Sequence, residues 1–372
     1  MVLEFTVQEN SDFLTSQIIT YIGNKRALIG EIENHIFAIK EKTGKKHFVC
    51  ADLFSGSGIV ARMLKQHSSK LICNDLENYS YVINSCYLTN KKDFDYEKYN
   101  LLRDKILSSA AKKKIPGIIT EHYSPKDENN IQKTDRVFYT HENALLIDTY
   151  RALIDRYVEP DFQQYFLAPL ITEASIHTNT SGVFKGFYKD KNTKIGTFGG
   201  AGRNALSRIL KTIELPVPIF SNFNSRVELH QKNAIELSKE LKNIDIAYLD
   251  PPYNQHPYGS NYFMLNLILK NEITAPVSPV SGIVSNWNHS EFNKRVLALS
   301  SMEEIIKNLD TIYFIISYNS EGFISFDEMT AMLKKYGRLT TQDIHYNTFR
   351  ASRNLNNRSL HVSEYLFILE KK

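Results

Sequence analysis

The chain has 372 residues, of which 42% are apolar and 23% charged, so it reads as a globular protein with a sizeable core, not a disordered or fibrous one. A net charge of +4 permits a polyanionic partner without demanding one. No apolar run is long enough to span a bilayer and the first 13 residues lack a basic signal-peptide start, so no membrane association and a cytoplasmic location are expected. Cys50, Cys73 and Cys86 match neither a disulfide framework nor zinc-ligand spacing. They read as buried small hydrophobes, and no metal is expected.

In chain order, residues 27–39 read as a helix preceded by Tyr21-Ile22-Gly23-Asn24-Lys25-Arg26. Residues 48–54 are apolar and β-prone, a buried strand that runs into Ser55-Gly56-Ser57-Gly58 and a helix over 59–64. A strand over 70–74 ends at Asp75, and a helix over 79–88 follows. Strand, glycine turn, helix, strand and acid open a doubly wound, Rossmann-like, mostly parallel α/β sheet. The same grammar returns with strands over 226–230, 244–249 and 311–317, helices over 234–241 and 323–336, and a terminal strand over 362–369. Between the halves, residues 91–225 differ in character: lysine-rich helical stretches, then Ser181 to Lys189, then Gly199-Gly200-Ala201-Gly202-Arg203. A sheet interrupted by about 135 residues of another kind implies an inserted domain, giving segments 1–90, 91–225 and 226–372.

Asp250-Pro251-Pro252-Tyr253 follows an apolar strand directly, which puts it at a carboxyl end of the sheet, where open α/β folds bind ligands. Two prolines fix the backbone there. An acceptor side chain, a rigid carbonyl and an aromatic face suit a planar heterocycle bearing an NH₂ group, though the tetrapeptide alone could equally just end a strand. The Asp52-to-Gly58 turn lets backbone approach a ligand closely. It lacks the third spaced glycine of a dinucleotide loop and the lysine of a phosphate-binding loop. Asp75, 23 residues after Asp52 and at the next strand end, is placed to hold ribose hydroxyls or simply to meet solvent.

Tyr21-Ile22-Gly23-Asn24-Lys25, then Asp52-Leu53-Phe54-Ser55-Gly56-Ser57-Gly58, then Asn74-Asp75, then Asp250-Pro251-Pro252-Tyr253 occur in this order. The chain thereby resembles the adenine-N6 DNA methyltransferases of the D12, or Dam-like, group. Asn254-Gln255 and Tyr258-Gly259-Ser260-Asn261-Tyr262 are most similar to type II restriction–modification methylases. The likeness spans about 15–90 and 226–372; the insert agrees in placement only. It implies S-adenosylmethionine as cofactor, S-adenosylhomocysteine as product and double-stranded DNA as partner. It also implies that Tyr21 and Lys25 close over the methionine part and the active site, and that Asp52, Phe54, Gly56 and Gly58 surround the methionyl and ribose portions. Asp75 would hold the ribose, with Leu76 against the cofactor adenine. The family places an aspartate near position 233; here Asn233 stands, whose amide oxygen can still accept from an amino group.

The implied chemistry puts the target N6 amine between Asp250 and the Pro251 carbonyl, next to Pro252, with the flipped base stacked on Tyr253. Residues 346–359 mix arginines, amides and hydroxyls with no acid, so Arg350, Arg353, Asn354 and Arg358 are candidate DNA contacts, with Lys185 from an insert expected to read the target. The single tryptophan, Trp287, reads as core. A monomer is expected, with room for a separately encoded cognate restriction endonuclease. Methylation of cytosine N4, RNA adenine or protein glutamine stays open as an alternative, as does a non-catalytic DNA-binding regulator; the acid at position 250 favours adenine.

Overall fold

The computed structural model describes residues 8–200, 202–347 and 361–372. Among them, seven strands form one sheet: β1 (Phe48–Asp52), β2 (Ser68–Asn74), β3 (Arg226–His230), β4 (Ile244–Leu249), β5 (Thr311–Asn319), β6 (Gly337–Asn347) and β7 (His361–Lys371). Their spatial order is β3-β2-β1-β4-β5-β7-β6. The first five run parallel; β7 pairs antiparallel with both β5 and β6.

The pleat explains why the central strands look uniformly apolar in sequence. Successive side chains leave a strand on opposite faces. Ile246, Tyr313, Ile315 and Leu366 therefore pack into one buried cluster with the helices Ile29–Thr43 and Ile59–Lys65. Ala247, Leu249, Phe314, Ile316 and Phe367 pack into another with Ala234–Glu240, Arg295–Asn308 and Phe326–Leu333. A sheet covered by helices on both sides has no polar face to show.

The segment after residue 90 is helical: Tyr96–Lys112, Ile118–Tyr123, His141–Tyr157 and Gln164–Ile176. These helices share a third core with Tyr79, Ile83, Tyr262 and Phe263 of the flanking catalytic segments. Arg151 is buried there, and its Nε donates to the Ile268 carbonyl at 3.1 Å. Beyond Ile176 the chain is irregular, held by Arg208, whose Nη1 donates to the carbonyls of Ile176 and Thr178.

Some sequence expectations shift. The helix foreseen over 27–39 begins as a 3₁₀ turn, Lys25–Leu28, and becomes α-helical only over Ile29–Thr43, ended by Gly44 at φ 69°. Residues 53 and 54 leave β1, because the turn toward the glycines begins there. The helix foreseen over 323–336 is Phe326–Leu333, started by a capping box between Ser325 and Glu328. The edge strand β6 was not foreseen: Leu339 and Ile344 are its only large aliphatics and fall on opposite alternation phases. Trp287 is half-buried on the surface, with its ring centre 6.0 Å from that of His289, instead of lying in the core. Cys50, Cys73 and Cys86 are all buried free thiols, as expected.

Candidate active site

Because β1 sits between β2 and β4, the chain leaves it in opposite directions on its two sides, and a crevice opens at the carboxyl ends. Asp52 pairs with Tyr248 across the β1–β4 junction, so the ends of β1 and β4 lie side by side. The cleft at this point, open to solvent, spans about 880 Å³. Tyr21, Lys25, Asp52, Phe54, Gly56, Asp75, Leu76, Asn233, Asp250 and Pro252 all line it, so the structure brings ten sequence-derived candidates onto one wall. Gly58, Pro251 and Tyr253 adjoin that wall without lining it.

The glycine turn is shaped by what surrounds it. Gly56 has φ +50°, and a Cβ there would stand 2.7 Å from the Tyr21 ring. Gly58 has φ +77°, and a Cβ would meet Asn84 Oδ1 at 2.4 Å. Both left-handed conformation and lack of space call for glycine. The Gly56 N–H donates to Asp75 Oδ2 at 2.7 Å, and the Glu77 N–H to Asp75 Oδ1 at 2.9 Å. Asn74 Nδ2 donates to the carbonyls of Leu53 and Lys232, both at 3.1 Å, which ties the loops after β1, β2 and β3 together.

Acids dominate this wall. Asp52 Oδ1 accepts weakly from the Phe54 N–H at 3.3 Å, while its Oδ2 is buried with no hydrogen-bond partner among the described residues. Burial raises the Asp52 carboxyl well above its usual range, and the neighbouring Asp250 and Asp75 add to that. Burial likewise raises Asp75 against the backbone donors that hold it, and lifts Glu77 to about 7. At this end the lining sets carboxylates at 52, 75 and 77 against the ammonium group of Lys232, since Lys25 is engaged by Asp250 at the other end. That imbalance suits a cationic ligand. S-adenosylmethionine carries a sulfonium and an ammonium, and the unpartnered Asp52 oxygen is the kind of acceptor such a ligand would complete.

At the other end, Asn24 caps the 3₁₀ turn by accepting from the Arg26 N–H at 2.7 Å, which fixes Lys25 inward. Lys25 is 3% exposed. Its Nζ lies 2.9 Å from Asp250 Oδ1, 3.0 Å from Glu364 Oε1 and 3.1 Å from the Gly23 carbonyl. Burial works against the ammonium, yet Asp250 and Glu364 hold its pKa well above the usual lysine value. Burial pushes the Asp250 carboxyl up to about 6, with Lys25 pulling it down and Glu364 pushing it up. For Glu364 burial is outweighed by Lys25 and by donors from Ser317 and Asn319, leaving it below the usual range.

Aromatic rings close the mouth. Tyr21 stacks on Tyr258 and Tyr262, with ring centres 4.9 and 4.8 Å apart. The Ile22 N–H donates to Tyr262 Oη at 2.7 Å and Tyr258 Oη donates to the Ile22 carbonyl at 3.1 Å, clamping the N-terminal loop. Tyr253 is half-buried, set edge-on to Tyr318 at 6.4 Å. Asn233 Oδ1 accepts from the Ile235 N–H at 2.9 Å, and its Nδ2 donates to Glu291 Oε2 at 3.2 Å.

Of the DNA candidates, Arg350, Arg353, Asn354 and Arg358 lie outside the described residues. Lys185 is partly exposed, with Nζ 3.3 Å from His256 Nδ1; its loop is docked by the Phe184 N–H donating to the Asn261 carbonyl at 2.8 Å. Glu364 was missed by sequence reasoning. The signal available was a lone acid inside the apolar terminal strand. Among the described residues no group of three His, Cys, Asp or Glu side chains is placed to hold a metal ion, and no helix is long and apolar enough to cross a membrane.

The model of the family described as D12 class N6 adenine-specific DNA methyltransferase matches residues 21–332. Over 362 residues the chain is 29% identical to "Type II methyltransferase M.NlaIII" of Neisseria lactamica, covering 95% of this chain and 99% of that protein. It is 32% identical over 365 residues to "Type II methyltransferase M.CviAII" of Paramecium bursaria Chlorella virus 1, covering 94% and 98% respectively. It is 27% identical over 372 residues to "Modification methylase StsI" of Streptococcus sanguinis, covering 95% of this chain and 52% of that protein.

Proposed function

The chain belongs to the D12 class N6 adenine-specific DNA methyltransferases, and from that premise we propose how its cleft is used. It transfers a methyl group to the N6 amine of adenine in DNA, as the modification enzyme of a restriction–modification system. Its family uses S-adenosylmethionine and acts on a base turned out of the helix. The observation that carries the detailed reading is the placement of Asp250 and the glycine turn on one cleft wall, at adjoining strand ends.

When bound, S-adenosylmethionine supplies an electrophilic methyl group whose bonding electron pair stays on sulfur, leaving S-adenosylhomocysteine. Asp52 and the Gly56 turn take the methionyl side, Asp75 the ribose hydroxyls, and Leu76 and Asn233 the adenine end. Tyr21 and Lys25 close over this region. At the amine end, Asp250 and the Pro251 carbonyl each accept one N6 hydrogen, Pro252 rigidifies the turn, and Tyr253 stacks on the base. The amine's lone pair is delocalised into the ring, so the residues contribute geometry and stabilise charge that develops on nitrogen. Residues 91–225 form the target-recognition domain, with Lys185 on the DNA side; Arg350, Arg353, Asn354 and Arg358 meet the backbone and base edges. The finer setting is a monomer on double-stranded DNA in the cytoplasm, beside a separately encoded endonuclease; the type II names of its relatives support the restriction–modification part of that setting.

The test is incubation with methyl-labelled S-adenosylmethionine and unmethylated DNA, followed by nucleoside analysis. Label is expected in N6-methyladenine, at one short sequence once the modified sites are mapped. Label in N4-methylcytosine, or none in DNA, would overturn the reading.

A further inference from the structure

Lys25 beside Asp250 poses an electrostatic problem. A neutral amine that accepts a methyl group becomes a cation, and the acid next to it stabilises that charge only if it is not already neutralised. Lys25 and Asp250 alone sum to zero. Glu364 changes the sum: its Oε1 is 3.0 Å from Lys25 Nζ, so the two buried groups and the half-buried Asp250 together carry one negative charge.

The sheet puts Glu364 there. β4 pairs with β5 at Leu249 and Ile316, so the chain enters Asp250 beside Ser317. Antiparallel pairing of β5 with β7 sets Asn319 opposite Glu364. Ser317 Oγ then donates to Glu364 Oε1 at 2.5 Å, and Asn319 Nδ2 to Oε2 at 3.1 Å. Both carboxylate oxygens are held, and the side chain is 1% exposed. A carboxylate so buried is expensive to keep without a purpose or a partner. The family match ends at residue 332, so this acid lies in the C-terminal hairpin beyond it.

We propose that Glu364 is a positioning residue for methyl transfer: by engaging Lys25 from β7 it keeps that ammonium from neutralising Asp250, so that Asp250 accepts from the target amine and takes its proton. The inference rests on Asp250 as the amine's acceptor. The N6 lone pair forms the new N–C bond, the methyl–sulfur pair stays with sulfur, and nitrogen becomes positive. One N6 proton then passes to the Asp250 carboxylate and on to solvent.

The other titratable groups facing Asp250 are the Tyr248 and Tyr258 phenols, the Tyr253 phenol with Glu321 near it, and the Asp52 carboxylate from β1. Since Glu364 pushes Asp250 upward and Lys25 pulls it downward, removing Glu364 lowers the Asp250 pKa. Glu364→Gln is therefore expected to slow single-turnover methylation of unmethylated plasmid DNA about tenfold, while moving its acidic limb down by about 0.5–1 pH unit. Glu364→Asp keeps the charge and is expected to recover much of both. S-adenosylmethionine affinity by calorimetry stays within about twofold, roughly the 0.4 kcal/mol of a peripheral change. A slower rate with an unmoved limb would make Glu364 merely structural, and an unchanged rate would dismiss it; either sinks the inference. Should Glu364→Gln fail to bind the cofactor or fold, Glu364→Asp and Lys25→Met decide, the second by moving the limb upward. If Asp250→Asn keeps wild-type rate, the acceptor assignment itself fails, whatever Glu364 does.

Discussion

The cleft has two ends built in different ways. The cofactor end is made from short contiguous segments: Asp52 to Gly58 in one turn, Asn74 to Glu77 in the next, joined by the Gly56 N–H on Asp75. The amine end is assembled across the chain. Lys25, Asp250 and Glu364 are separated by more than a hundred residues at each step, and meet only because β4, β5 and β7 are neighbours. Local segments build a binding surface from backbone; distant ones let buried charges be set against one another. Binding and chemistry should therefore fail separately.

The sharpest way to break the division is Asp250→Ala. Removing the acceptor at the developing charge should lower kcat by about 10²–10³-fold, the usual loss for one preorganised stabilising group. S-adenosylmethionine affinity, measured by calorimetry, should change little, because the carboxylate of Asp250 faces Lys25 and the amine end. Equal damage to binding and rate would show that the two ends are one unit.

A second substitution attacks the other end. Gly56→Ala places a methyl 2.7 Å from the Tyr21 ring at a φ of +50°. Left-handed backbone costs a non-glycine residue about 1–2 kcal/mol, and the Tyr21 stack must also give way. Cofactor affinity should drop at least about tenfold. At saturating cofactor the rate should stay near wild type, since Lys25, Asp250 and Glu364 are untouched. A kcat effect matching that of Asp250→Ala would refute the separation.

This contrast also decides how far the sequence could be read. β4 was legible to the residue, Ile244–Leu249, because a strand buried on both faces is a short apolar run with sharp ends. The glycine turn and Asp250-Pro251-Pro252-Tyr253 were legible because their chemistry lies in adjacent residues. Glu364 was not, because its meaning depends on strand order: only when β7 lies against β5 does its side chain meet Lys25. β6 was missed for a related reason. An edge strand that buries little carries no apolar alternation to betray it. Tyr21 lines the cleft, but its stack on Tyr258 and Tyr262 comes from residues over two hundred positions away.

The smallest effect belongs at position 233, where the resemblance leads one to expect an aspartate and the chain has Asn233. The structure gives a local reason: Asn233 Nδ2 donates to Glu291 Oε2 at 3.2 Å, while Oδ1 caps the helix Ala234–Glu240 through the Ile235 N–H. An amide satisfies both partners at once, donor to one and acceptor to the other. Asn233→Asp would keep the cap, and even favour the helix N-terminus by a few tenths of a kcal/mol. It would also set two carboxylates against each other at the cleft lining. Cofactor affinity is expected to fall about threefold, near 0.7 kcal/mol. Adding Glu291→Gln supplies an amide that donates back, so the double variant should regain most of that loss, giving a coupling of about 0.5 kcal/mol or more in a double-mutant cycle. Additive effects would instead mean that Asn233 meets the cofactor end without help from Glu291, and that the departure from aspartate has no local cause.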